Sequence, residues 1–459
     1  MADPPPTIEE PFALASIRRR LVTGSAWVLG ARIAGLLLGV VMNGLLARLL
    51  DPSGFGAYLL TSTMVVIGST LAKMGLDRSV VRFTAASLAV GEPGRARDAI
   101  RVAAGWSAIG AAAVGLVLVL GVGEWFFGGV LNEPLVASVV PLAAGWLFAT
   151  AMQSMFAEAF RGLSRFAHAA VFQTFATDLI TVVALGAVFI GARNATLSEV
   201  IVVIVSVAIL VLLLTGFVLL RMTRSLGHGG RVDRPEMFRV ARPLLVTSLG
   251  IYLLGHGIDL WILGAFRSSD IVSQYGAAAK LVVLVATPMI IFSGVIPPLV
   301  AELHAQGKMR RLERTLRAGA ALVGAPALVI LVVFIVAGGW VMETVYGPYY
   351  RQATALLVVL ASSRLLAIWT GSCGIALMMT GHQRDMMWTT LASAVVSVGG
   401  GLLVAPRYGA MGVAVTTSLA QLVQNGSQLY LAHRRLGIWT HVTLSWSVLR
   451  DIVRPVRPS

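Results

Sequence analysis

The sequence predicts an all-α polytopic membrane protein. Twelve transmembrane helices are expected in two six-helix lobes, in parallel repeat around a central cavity, with both termini cytoplasmic. Three observations carry this expectation. Twelve apolar stretches are each long enough to cross a bilayer, their loops alternate between basic and nearly uncharged, and anchors of the first half recur 216–219 residues later. A helix of about 20 apolar residues spans the roughly 30 Å hydrocarbon core. Composition agrees, because 57% of the 459 residues are hydrophobic and 12% are charged, against about 25% charged in soluble domains. The 48 glycines suit helices that must approach closely where lipid supplies no hydrophobic drive.

Taken in order, the spans lie near 22–47, 55–75, 102–122, 135–157, 167–191, 199–221, 240–264, 274–299, 318–339, 353–379, 386–405 and 409–432. Residues 1–20 form an N-terminal segment, Pro-rich to Pro11, whose composition predicts a disordered or interfacial stretch. No small-residue cleavage site closely follows the first apolar run, which therefore reads as a retained anchor. Basic residues gather in the N-terminal segment (Arg18, Arg19, Arg20), in the even loops and in the tail. The even loops run from Arg78 to Arg101, from Arg161 to Arg165, from Arg221 to Arg242, from Lys308 to Arg317, and through Arg384. The odd loops hold single arginines, namely Arg48, Arg193, Arg267, Arg351 and Arg407. The positive-inside rule then places the termini and even loops in the cytoplasm. Residues 436–459, with Trp439 and Trp446 among arginines, read as an interfacial basic tail. The net charge of +15 sits in these rims, so anionic membrane lipids are the expected partners and nucleic acid is not.

The repeat rests on three matched anchors. Tyr58 in RLLDPSGFGAY pairs with Tyr275 in AFRSSDIVSQYGAAAK; Gly91, Arg95 and Arg101 pair with Gly307, Arg311 and Arg317; Gly162 and Arg165 pair with Gly381 and Arg384. These divide the chain into an N-lobe (21–235) and a C-lobe (236–435). Six helices per half is an even number, so both halves enter from the same side and the repeat is parallel. Two such lobes favour a transporter that alternates access by rocking one lobe against the other.

Two families share that plan. GLDRSVVRF (75–83) mimics the second-loop signature of the major facilitator superfamily, but Val80 and Val81 stand where that signature has a glycine and a second basic residue. A more extensive resemblance runs from about residue 20 to 435. ARLLDPSGFGAY, GLDRSVVRF and EAFRGLSRF, then RPLLVTSLGIYLL, DLWILGAFRSSDIVSQYGAAAKL, GHQRDMMW and RYGAMGVAVTTSLAQ, follow in order. In that order and spacing they resemble the polysaccharide (O-antigen or exopolysaccharide) flippase branch of the multidrug/oligosaccharidyl-lipid/polysaccharide exporter superfamily. The resemblance implies translocation of undecaprenyl-diphosphate-linked oligosaccharides across the bacterial inner membrane. It also implies a lipid-linked oligosaccharide substrate, with a polysaccharide polymerase and glycosyltransferases as pathway partners. A multidrug/cation antiporter of the same superfamily is the alternative, followed by a major-facilitator transporter.

Charges deep in a membrane are costly and mark pathways or partners. Arg32 lies about ten residues into the first span, roughly 15 Å deep at 1.5 Å per residue, with Gly35, Gly39 and Asn43 following on its face. Arg364 is central in the tenth span, near Ser362, Ser363 and Thr370. One guanidinium from each half would clamp a diphosphate, whose oxygens suit bidentate binding. Lys280 is a further candidate for substrate contact. Asp178 is expected either to pair with a cation such as Arg32 or to act as an ion site. Asp259 and His256 form a candidate coupling pair, or Asp259 pairs with Lys280. Asp77, Arg78, Glu158 and Arg161 read as gate or rim residues. The sequence has no Walker-type loop and no paired metal-ligand histidines, and its single cysteine, Cys373, rules out an intrachain disulfide and a cysteine metal site. No enzymatic activity, cofactor or metal is expected.

Overall fold

A computed structural model describes residue 30 and residues 34–192, 194–227, 229–252, 257–293 and 296–442. Every element among them is helical. In chain order these are α1 (Ala34–Leu49), α2 (Pro52–Ala72), α3 (Leu76–Ala89), α4 (Pro93–Val122), the short segments Trp125–Val130 and Pro134–Ser138, α5 (Val140–Gly162), α6 (Phe166–Gly191) and α7 (Leu197–Arg224). Then come α8 (Arg234–Tyr252), α9 (Ile258–Phe266), α10 (Ser269–Ser293), α11 (Ile296–Ala305), α12 (Met309–Tyr346), α13 (Pro348–Trp369), α14 (Cys373–Met379) and the long element Gln383–Leu436. Nine of the described helices are long and apolar enough to cross a membrane, and α1 is apolar but shorter. Large apolar side chains stand exposed along them, as with Ile190, Val336 and Leu403. So much exposed apolar surface suits lipid as the surrounding solvent.

Local sequence explains the helix ends. Asp51 caps α2, accepting a hydrogen bond from the Gly54 amide at 3.2 Å with Pro52 next in line. Thr196 and Glu199 form a reciprocal capping box at α7, with hydrogen bonds of 2.8 and 3.4 Å. Each device satisfies amides that the first turn leaves open.

Several expected spans take a different form. Part of the expected second loop is the helix α3, set off from α2 by left-handed Met74 and Gly75. The described parts of the expected seventh span fall on α8 and α9, and α8 packs mainly on α3 and α2. The described parts of the expected eighth span fall on α10 and the start of α11, and the tenth breaks at Gly371 (φ 78°). A side chain at Gly371 would meet the Thr440 carbonyl 2.0 Å away, because residues 438–442 fold back onto this break. Gln383–Leu436 is not straight: Gly409, at φ 55° and ψ −140°, turns it into a hairpin. Its arms, α15 before Gly409 and α16 after it, run antiparallel. Thr389 meets Gln428, Thr390 meets Gln424, Ser397 meets Thr417, and Gly400 meets Thr416. The expected eleventh and twelfth spans are these arms. The N-terminal segment and the tail beyond residue 442 lie outside the described residues.

Some turn positions recur at a similar offset. Left-handed Gly91 follows α3 as Gly307 follows α11, 216 residues later. Helices α2 and α10 start one residue after Asp51 and Ser268, 217 apart. The third anchor needs correcting. The left-handed residue between α5 and α6 is Ser164 (φ 58°), and its counterpart is Gly381 (φ 88°), so the offset is again 217 and not 219. Gly162 is the last residue of its helix, whereas the turn position sets the equivalence.

The two halves meet closely at the end that is poor in arginine. A Cβ at Gly56 of α2 would lie 1.8 Å from the Ser269 carbonyl of α10. Arg48 donates to the carbonyls of Thr344 (2.6 Å) and Val345 (3.3 Å), which the C-terminus of α12 leaves unpaired. Trp261 donates to Thr63 at 2.8 Å, and Phe55 packs against Tyr346 and Tyr350. Arg267 caps the Pro406 carbonyl at 2.7 Å. At least two of the odd-loop arginines thus serve as caps.

Glu133 adds a titratable group to this junction, because its buried carboxylate accepts from the Ser269 hydroxyl. Burial raises its pKa; the Ser269 bond opposes that in part, and Asp270 adds to it. A carboxyl held high in the joined state binds protons better there than when exposed. The joined state therefore gains as pH falls through the raised value, and the gain is complete below the ordinary value of 4.5. Spin-label distances between α2 and α10 should shorten, or narrow in distribution, on going from pH 8 to about 5. Glu133→Gln should make them independent of pH.

Candidate functional site

A cavity of about 820 Å³ lies within the second half, walled by α10, α13 and α16. Each helix presents one stripe to it. Ala286, Met289, Ile290 and Ser293 come from α10; Arg364, Ala367 and Ile368 come from α13; Gln421 and Asn425 come from α16. The spacings i, i+3, i+4 and i+7 are those of a single helical face. The lining thus sets one guanidinium and two side-chain amides in otherwise apolar walls. Such a set recognises an anion, since guanidinium and amide N–H groups are donors.

Arg364 is supported from behind. Tyr275 donates to the buried carboxylate of Asp259 at 2.7 Å and lies close enough to Arg364 to interact electrostatically. Ser363, the next residue on α13, reaches Gln421 at 3.5 Å. Gln421 in turn accepts, through its backbone carbonyl, from the Asn425 amide at 2.9 Å.

Lys280 and Asp178 form a second polar centre. Each carries the other as its electrostatic partner, and Tyr58 lies beside Asp178. Lys280 is enclosed by protein yet retains exposed surface, as expected of a side chain that borders an internal cleft. This arrangement differs from the expected Asp259–Lys280 pair. Lys280 is near enough to Asp178 of α6 to feel its charge, with no salt bridge between them among the described residues, and Asp259 accepts from the hydroxyl of Tyr275. Asn43 is only 4% exposed and donates back to the Gly39 carbonyl at 2.7 Å, so it presents no open surface to a ligand. Arg32 and His256 lie outside the described residues.

The rim residues come together at the basic end. Lys73 and Asp77 pair at 3.0 Å, and Arg161 bridges Glu158 and Gln173. Arg78, Asp77 and Lys73 all act on the Glu158 carboxylate. The network ties α2 and α3 to α5 and α6. Sequence reasoning placed Asp77, Arg78, Glu158 and Arg161 at helix ends but missed Lys73 and Gln173. It also missed Tyr275 as a partner, and Gln421 and Asn425 as lining. The amides had a signal: QLVQNGSQ (421–428) places four of them at helical spacing inside an apolar span.

Comparisons with known proteins bear on the fold and the family. In fold, the chain is similar to an inward-facing MATE multidrug-resistance transporter of the MOP superfamily. The TM-score is 0.73 at 12% identity, over 91% of this chain and 96% of that one. It is also similar to the lipid II flippase MurJ in an inward closed conformation, at TM-score 0.66 and 11% identity, over 89% and 87%. Against an outward-facing MATE transporter the TM-score is 0.57 at 12% identity, over 89% and 96%. Comparison with curated proteins gives no match. The family model described as polysaccharide biosynthesis protein matches residues 21–304, more than half of the chain. This multi-pass helical membrane protein, with the fold of the MOP-superfamily transporters, therefore belongs to the polysaccharide biosynthesis protein family.

Proposed function

We propose that the protein translocates an oligosaccharide carried on a polyprenyl diphosphate across the bacterial inner membrane. The observation that carries this reading is the anion-recognising cavity around Arg364 in a member of the polysaccharide biosynthesis family. The diphosphate is held by Arg364 and, from the other half, by Arg32, with Lys280 bordering the path. The sugar passes through the cavity while the polyprenyl tail stays in lipid.

On this reading the chain has twelve spans in two six-helix lobes, with both termini cytoplasmic. Its joined, arginine-poor end faces the periplasm. Access is then from the cytoplasm, where lipid-linked sugars are assembled. That state agrees with the higher TM-score against the inward-facing transporter than against the outward-facing one. Asp178, with Asp259 and His256, is the candidate ion-coupling set. Glycosyltransferases supply the substrate and a polymerase consumes it. No step requires enzymatic chemistry or a cofactor.

A second reading, export of cationic drugs, draws on Asp178 and on the fold shared with MATE transporters. Deleting the gene distinguishes the two. The flippase reading expects a lipid-linked oligosaccharide to accumulate on the cytoplasmic leaflet. Unchanged lipid intermediates together with new drug sensitivity would reject it in favour of export.

A further inference from the structure

A second cavity, of about 510 Å³, lies at the basic end, away from the one lined by Arg364. It is lined by Trp106 of α4 and by Arg234, Pro235, Phe238, Arg239 and Arg242 of α8. We propose that it is a binding site for the phosphoryl headgroup of a membrane lipid, separate from the translocation cavity.

The site is built by the fold. Pro235, Phe238, Arg239 and Arg242 occupy one face of α8, at i, i+3, i+4 and i+7. Phe238 meets Trp106 edge to face, with ring centroids 5.5 Å apart and planes at 88°. The connection into α8 is pinned against the start of α4. Asp98 accepts from the Val232 amide at 2.9 Å, and Arg97 donates to the Gly227 carbonyl at 2.8 Å. A Cβ on Gly94 would sit 1.8 Å from the Gly229 carbonyl, so these backbones are in direct contact. The face of α8 is therefore held at a fixed distance from Trp106.

The chemistry of the lining selects the ligand. Arg234, Arg239 and Arg242 are all exposed, and none forms an ion pair with a carboxylate of the described residues. Two nearby carboxylates are engaged with backbone amides, Asp98 with Val232 and Asp233 with Glu236 at 3.2 Å, and the Glu236 carboxylate on α8 forms no ion pair with these arginines among the described residues. Three guanidinium groups in one concave site suit phosphoryl oxygens, which they bind in bidentate fashion. The aromatic wall suits the glycerol or first prenyl carbons next to such a headgroup, since Trp sits preferentially at the membrane interface. Trp106 belongs to a helix apolar enough to cross the membrane and is itself exposed. One side of the cavity thus faces lipid and the other faces water. A free nucleotide or sugar phosphate would have no use for the lipid-facing side. Two lipids share the required chemistry, an anionic phospholipid and a polyprenyl diphosphate.

The test is native mass spectrometry of the full chain in detergent, titrated in turn with phosphatidylglycerol, phosphatidylcholine and undecaprenyl diphosphate. Saturable one-to-one binding of either anionic lipid supports the site, and the tighter one identifies its source. Arg239→Gln with Arg242→Gln should weaken that binding by about tenfold or more, the loss expected for charge-assisted hydrogen bonds. Trp106→Ala, which keeps every charge, should weaken the lipids but not inorganic phosphate. Arg364→Ala, in the other cavity, should leave the phosphatidylglycerol binding unchanged. Equal binding to the arginine variant and the parent would overturn the proposal, as would non-saturable binding that elevated salt removes.

Discussion

Replacing Arg364 with alanine is expected to abolish oligosaccharide transfer while leaving the protein folded and inserted. Among the described residues Arg364 is the only cationic side chain lining the 820 Å³ cavity, so alanine leaves amides, one hydroxyl and apolar walls to meet a diphosphate. A charge-assisted hydrogen bond contributes about 1.5–3 kcal/mol, and a bidentate guanidinium supplies two. Losing both corresponds to at least about a hundredfold in headgroup affinity at 1.4 kcal/mol per decade. Arg364→Lys keeps the charge but not the fork, and should fall between the two. The readout is the amount of surface polysaccharide relative to membrane-inserted protein. Normal polysaccharide in Arg364→Ala would remove this residue from the substrate path.

The second large effect is expected at Gly56. A methyl group there would sit 1.8 Å from the Ser269 carbonyl and 2.6 Å from its carbon, both backbone atoms that no rotamer change can move. Gly56→Ala must therefore part α2 from α10 at the arginine-poor end, where Arg48, Glu133 and Trp261 also join the halves. Transfer should be lost because the joined state can no longer form, even though the cavity residues are unchanged. Pulsed spin-label measurements between α2 and α10 should show this end held apart. Gly264, whose added Cβ would meet only the Leu60 side chain at 3.3 Å, provides the tolerant control. If Gly56→Ala kept both transfer and the short distance, closure of this end would not be part of the cycle.

Hydropathy made most of the long helices legible, because length and apolar composition are local properties. It missed α3, whose charged residues read as a loop, and put only the start of α11, residues 296–299, inside a span. It also ran the tenth span through Gly371, a left-handed residue in close contact with Thr440. The recurring anchors were legible to within a few residues; their offsets narrowed to 216–217 once backbone geometry identified Ser164 as the turn residue. Arg364 was found because a central charge is conspicuous. Its surroundings were not, since Tyr275 and Gln421 come from other helices, 89 and 57 residues away in sequence. The same limit applies to Lys280: its position was evident, whereas its proximity to Asp178, 102 residues earlier, depends on how α6 packs near α10. Pairings of this kind are set by helix packing, which a hydropathy pattern constrains only through which face is polar.

On the proposed function, an anionic, lipid-borne sugar crosses the membrane through this protein. That crossing is tested most directly by reconstituting the purified chain with a fluorescent polyprenyl-diphosphate oligosaccharide in liposomes. The fraction of headgroups reached by a membrane-impermeant quencher is then followed over time. The reached fraction should rise with protein and return to the background rate with Arg364→Ala. Protein-independent quenching, or quenching that Arg364→Ala leaves untouched, would contradict the proposed function.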